Sequence, residues 1–133
     1  MITKKILIVD DDEYLLLGLA AKLKASGYAV VSAVDAVAAV AVARREVPDL
    51  IILDLGLPAG DGLLVLERLR ALTDLVATPV IVLSARDPAN NEQRALKAGA
   101  VAFFQKPPDS REFLTAIRRA LGEEVALSQF LRT

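Results

Sequence analysis

Ile6-Leu7-Ile8-Val9-Asp10-Asp11-Asp12 is an apolar run of strand length that breaks abruptly into three carboxylates. The same event recurs along the chain. Leu50-Ile51-Ile52-Leu53 runs into Asp54, Val80-Ile81-Val82-Leu83 into Ser84, and Val101-Ala102-Phe103-Phe104 reaches Lys106 through Gln105. If these runs lie side by side as parallel strands, their carboxyl ends gather acids, a hydroxyl and an ammonium on one edge of the sheet. That edge is where open α/β sheets bind ligands.

Between the apolar runs the pattern changes period. The strands read as Lys5 to Val9, Tyr28 to Ala33, Leu50 to Leu53, Pro79 to Leu83 and Val101 to Phe104. Leu15, Leu16, Leu19 and Leu23 recur at helical spacing, as do Leu63, Leu66 and Leu69. Ala36 to Arg45 is helical by context, since alanine favours helix and a crossover must join two parallel strands. A last helix spans Ser110 to Leu121, with Phe113, Leu114 and Ile117 on one stripe. Gly27, Pro48-Asp49 and Gly99 punctuate the boundaries.

Alternating β and α segments give an α/β fold, and nearly continuous apolar strands imply a sheet covered on both faces. The expected architecture is flavodoxin-like: a doubly wound, five-stranded parallel sheet in order 2-1-3-4-5, with helices on both faces. Its switch point falls between the first and third strands, which sets Asp10 and Asp11 opposite Asp54.

Composition narrows the chemistry. The 133 residues fit one domain, and a net charge of −1 gives no general attraction to nucleic acid or to an anionic membrane. There is neither Cys nor His, which excludes disulfides, thiolate zinc sites and His-based triads. No apolar run approaches a membrane span and the amino terminus does not read as a signal peptide, so a cytoplasmic location is expected.

Each polar residue also has an ordinary role open to it. Asp11 or Asp12 can cap the next helix, Ser84 can be a turn serine, and Lys106 and Arg86 can be solvated side chains. Asp54 resists that reading, because a loop and not a helix follows it. Four strand ends converging on such groups call for oxygen coordination and charge balance. Crowded carboxylates need a cation, and Mg²⁺ takes carboxylate oxygens, keeps several waters and bridges to phosphate. An ionised Asp beside it can attack phosphorus, with the Lys106 ammonium, the Ser84 hydroxyl and the Ala85 N–H facing the new phosphoryl oxygens.

The strand-ending acids at Asp10 and Asp11, the block Pro48 to Gly62 around Asp54, the segment Val80 to Ala85 and Lys106-Pro107 together resemble the receiver domain of two-component response regulators. The likeness covers residues 4 to 122, leaving 123 to 133 as a tail or the start of a helical linker. It implies that Asp54 accepts a phosphoryl group from a sensor histidine kinase or a phosphotransfer protein. Asp10, Asp11, Asp54 and the Gly56 carbonyl hold Mg²⁺, Lys106 and Ala85 bind phosphate, and Ser84 and Phe103 act as switch residues. It implies a cis Lys106-Pro107 bond as well. The face of the fourth helix, fifth strand and fifth helix then meets a downstream effector or a second copy.

The chain departs from the family pattern in places. Phe103 lacks a phenolic hydroxyl and can equally be a core aromatic, and Pro108 stands where the family often has an aromatic residue. Gly56 presents no side chain to an attacking water, whereas Arg86 can reach over the site. On this reading the chain is not an enzyme but a phosphoacceptor that assists its own phosphorylation and dephosphorylation. A Mg²⁺-dependent phosphatase of the acyl-phosphate-Asp type is the alternative, although such phosphatases usually carry a second acid where Gly56 stands. A nucleotide-binding Rossmann protein would need a Gly-rich loop after the first strand, where this chain has acids.

Overall fold

A computed structural model describes residues 3–57 and 62–123. The chain alternates strictly: β1 (Lys5–Val9), α1 (Glu13–Ala25), β2 (Ala29–Ala33), α2 (Ala36–Glu46), β3 (Leu50–Leu53), α3 (Gly62–Ala71), β4 (Val80–Ser84), α4 (Pro88–Lys97), β5 (Ala102–Gln105) and α5 (Ser110–Ala120). All strand pairs are parallel and the order is β2-β1-β3-β4-β5, as the sequence led us to expect. None of the described helices is long and apolar enough to cross a membrane.

Alternation along each strand sends successive side chains to opposite faces. Leu7, Val9, Ile51, Leu53, Val80 and Val82 pack with buried residues of α2, α3 and α4. Their neighbours Ile6, Ile8, Leu50, Ile52, Ile81 and Leu83 pack with α1 and α5. Phe104 lies on the second face, meeting Phe113 edge-on with ring centroids 5.3 Å apart. Two hydrophobic layers thus clamp β1, β3 and β4 and make them a rigid base for whatever their carboxyl ends carry.

Aspartates start the helices. Asp12 accepts from the Tyr14 and Leu15 N–H groups, Asp35 from Ala38, Asp87 from Ala89 and Asp109 from Glu112, at 2.8–3.1 Å. Each satisfies amides that the first helical turn leaves unpaired. Asp12 therefore takes the capping role. Three strands differ by a residue from the sequence reading, β2 at its start and β4 and β5 at both ends. Tyr28 precedes β2 because its N–H bonds Leu23 O and closes α1 instead of entering the ladder. Val101 likewise precedes β5, and β4 extends through Ser84, which pairs with Gln105.

At the far end of the sheet, Arg70 of α3 ties two loops together. Its guanidinium donates to the carbonyls of Val76 and Thr78, and its stem lies under Gly99. A Cβ on Gly99 would stand 2.9 Å from Arg70 Nε, and the φ of +109° there already favours glycine.

Candidate functional site

The parallel ladder fixes the site by fixing where strands stop. The Asp10 N–H donates to Ala33 O at 3.1 Å and the Asp54 N–H to Val9 O at 2.9 Å, so both acids are the first residues past their strands. Their carboxylates are buried, while Asp11 is exposed. One oxygen from each of Asp10, Asp11 and Asp54 lies within 4.8 Å of the others.

Backbone amides orient these groups. The Asp12 N–H donates to Asp10 Oδ1 at 2.9 Å, and the Gly56 N–H donates to Asp54 Oδ1 at 3.1 Å. Lys106 enters from the opposite side, its Nζ 2.6 Å from Asp10 Oδ2 and 3.6 Å from Asp54 Oδ2. Its peptide bond to Pro107 is cis, and its own N–H donates to Ser84 O at 2.8 Å, so the end of β4 places the lysine.

Burial pushes the Asp10 carboxyl above its ordinary range, opposed by the Lys106 hydrogen bond and the Asp12 amide. Burial alone would pull the Lys106 ammonium down, but its bond to Asp10 and the charges of Asp54 and Asp10 together hold it above the usual lysine value. The lysine is thus a fixed cation serving two carboxylates.

The remaining residues singled out in the sequence are arranged around this centre. Ser84 is fully buried at the end of β4, its Oγ accepting the Arg86 N–H at 3.2 Å, and Ala85 follows it, exposed. Ser84 continues the Val80–Val82 face, the face on which Phe103 is half-buried against the α2–α4 layer. The structure brings Asp10, Asp11, Asp54 and Lys106 into one cluster, and among the described residues no side-chain hydrogen bond joins Ser84 or Phe103 to it. Gly56 is exposed beside the Asp54 carboxylate, and a Cβ there would stand 3.7 and 3.8 Å from its oxygens.

One contact and one residue escaped the sequence reading. The contact is the ion pair of Lys106, a residue singled out in the sequence, with its nearest partner Asp10. Gly62, at the start of α3, donates its N–H to Leu55 O and lies so close that a Cβ would meet the Asp54 carbonyl oxygen at 2.5 Å. Its only signal was a glycine eight residues after the acid, which periodicity cannot interpret.

The donor set is all oxygen, partly exposed and more negative than its one lysine balances, which fits a hard divalent cation such as Mg²⁺. Comparison with known proteins agrees with the geometry. Residues 6–118 match the family described as response regulator receiver domain. The transcriptional regulatory protein KdpE of Mycobacterium tuberculosis is 38% identical over 93% of this chain and 54% of its own. A putative response regulator from Chloroflexus aurantiacus superposes with a TM-score of 0.86 at 27% identity, covering 92% of this chain and 100% of that one. The receiver domain of sensor histidine kinase PA1611 from Pseudomonas aeruginosa, solved with magnesium in its active site cleft, has a TM-score of 0.83 at 29% identity, covering 92% and 100%. The chain spans about half the length of the curated relatives it matches. Sequence, strand order and acidic cluster converge, and the chain belongs to the response regulator receiver domain family.

Proposed function

We propose that this receiver domain takes a phosphoryl group onto Asp54 from a sensor histidine kinase or a phosphotransfer protein. The observation that carries the reading is the Asp54 carboxylate. Gly56 N–H fixes one of its oxygens, while the other faces the Lys106 ammonium within the Asp10–Asp11 cluster. Asp10, Asp11, Asp54 and the Gly56 carbonyl would hold Mg²⁺, which when bound offsets the carboxylate repulsion and the charge on a transferring phosphoryl group.

An Asp54 oxygen attacks phosphorus, an O–P bond forms, and the bond from phosphorus to the donor breaks with its electron pair leaving on the donor. Lys106, the Ser84 hydroxyl and the Ala85 N–H receive the phosphoryl oxygens, so Lys106 exchanges a carboxylate partner for a phosphate one. Ser84 moving toward the phosphate frees space for Phe103, with which it shares a sheet face, and the α4–β5–α5 surface repacks for an effector. In this reading residues 4–122 are the receiver, 123–133 are a tail or the start of a helical linker, and the domain works in the cytoplasm, assisting its own phosphorylation and dephosphorylation. The family match favours this over a Mg²⁺-dependent phosphatase.

Acetyl phosphate with Mg²⁺ is expected to add a single phosphoryl group, visible by intact mass and lost in Asp54→Ala. Undiminished labelling of that variant would overturn the assignment.

A further inference from the structure

β2 ends the strand order at the edge opposite β5. The Ala29 N–H donates to Lys4 O at 2.9 Å and Ala33 O accepts the Asp10 N–H at 3.1 Å, so both residues bond inward, toward β1. Alternation along a parallel ladder turns the N–H and C=O groups of Val30 and Ser32 the other way, off the edge. Natural edges are guarded by charge, proline or a bulge. Ala29-Val30-Val31-Ser32-Ala33 carries no charge and no proline, and it pairs with β1 residue for residue.

The two helices beside this edge continue the pattern. α1 and α2 lie against β2 on opposite faces of the sheet. α2 has no polar side chain from Ala36 to Ala43, and Val37, 74% exposed, and Ala41 stand one turn apart on its outside. On α1, Leu15, Gly18, Leu19 and Lys22 line the groove toward α5. The side turned away from α5, toward the β2 edge, carries Glu13, Leu17 and Lys24 at helical spacing, with Leu17 71% exposed. That stripe reads acid, apolar, base. Neither Glu13 nor Lys24 makes an ion pair or a side-chain hydrogen bond among the described residues.

We propose that β2 pairs antiparallel with β2 of a second copy about a two-fold axis near Val31, joining two five-stranded sheets into one. Val30 then faces Ser32 of the second copy, and the outward groups of both strands form about four N–H···O bonds. The ends of the patch select this occupant. A two-fold reverses the second copy, so Glu13 of each copy lies beside Lys24 of the other and the apolar side chains between them are covered. A strand from an unrelated protein would have to bring the same charges in reverse order, which this chain already carries. One sheet layer with a helix on each side offers a strip of about 20 Å by 30 Å, on the order of 600 Å² per copy. That is the low end of specific interfaces and fits a reversible dimer. The edge at β5 stays open, and the carboxylate cluster takes no part, so the pairing needs no phosphate on Asp54.

Sedimentation equilibrium of the full chain, from about 10 μM to about 1 mM, is expected to show monomer and dimer in exchange. The Val30 and Ser32 amides should gain protection from hydrogen exchange as concentration rises. Ser32→Pro removes only an outward N–H, so it should stay folded and become monomeric. Glu13→Lys or Lys24→Glu alone sets like charges together at two places and should weaken dimerisation about tenfold, whereas the two combined should return to within about threefold of the parent. This rescue tests the pairing even if the proline variant fails to fold. A chain that is monomeric throughout, a folded Ser32→Pro that still dimerises, or a charge swap without rescue would each overturn the proposal. So would protection of Val30 and Ser32 by an added alternating Val/Thr strand peptide while the chain stays monomeric at about 1 mM, which would assign the edge to a foreign strand.

Discussion

Lys106 is bonded to Asp10 and only close to Asp54: Nζ stands 2.6 Å from the first carboxylate and 3.6 Å from the second. In the unmodified protein the lysine therefore neutralises a carboxylate proposed to hold Mg²⁺, and the two cations would compete for Asp10.

Lys106→Ala is accordingly expected to act in two directions. The buried Asp10 carboxylate loses its partner in an already crowded cluster, lowering stability by roughly 2 kcal/mol without Mg²⁺. Mg²⁺ then meets less positive charge, and its affinity should rise severalfold. Thermal melts across a Mg²⁺ titration read both effects, and a variant with unchanged or weaker Mg²⁺ affinity would refute the competition.

Gly62 and Gly56 make a contrasting pair. A methyl at 62 meets the Asp54 carbonyl oxygen and Leu55 Cα, both at 2.5 Å, and these are backbone atoms that cannot swing aside. Gly62→Ala should cost about 3 kcal/mol and displace the loop that carries Asp54. Gly56→Ala makes ordinary contacts and should stay within about 0.5 kcal/mol of the parent. Urea unfolding of the two variants distinguishes them, and equal losses would contradict the geometry.

How much of this was legible in the sequence depends on the range of the interaction. Strand number, order and the meeting of Asp10 with Asp54 followed from apolar runs ending in polar residues, because a parallel sheet puts all its carboxyl ends on one edge. The Lys106–Asp10 bond was not legible, since the choice between two nearby carboxylates turns on distances of about an ångström. Gly62 was hidden for a related reason: a close backbone approach leaves no side-chain pattern. The start of β2 shifted because a hydrogen bond within the flanking turn, Tyr28 N–H to Leu23 O, decides where the ladder begins.

Val47 closes α2 with φ 45° and ψ 65°, a left-handed conformation that a β-branched residue adopts at a cost. Val47 is 57% exposed, so its side chain contributes little packing in return. Val47→Asn, which tolerates this conformation, should raise stability by about 1 kcal/mol. A melting temperature that stays level or falls would show that the turn carries no strain.

Tyr28 gives the fold an alkaline limit. Its hydroxyl donates to Glu123 Oε2 at 2.9 Å, and burial, then that hydrogen bond and the Glu123 charge, push it up to about 12. The folded state therefore holds the phenolic proton where an unfolded tyrosine, near 10, releases it. This contribution is complete below pH ~10 and is lost as pH rises through about 12, a change of roughly 2 kcal/mol. Tyr28→Phe should flatten the decline over that window in pH-dependent urea unfolding, and a parallel decline in the variant would assign it elsewhere.

The same contact bears on how the domain is wired. Gly122, at φ +70°, turns the chain out of α5, and Glu123 is then pinned beside the amino end of β2. The carboxylates occupy the carboxyl end of the sheet, so the full length of the strands, roughly 16 Å, separates the chemistry from the point where the chain leaves α5. On the proposed role, a segment continuing from there would be insulated from a phosphoryl group on Asp54 and would sense only the shape of the body between them. Changes at Asp54 would then reach it as mechanical displacement of packed layers, with the two sheet faces acting as a transmission as well as a support.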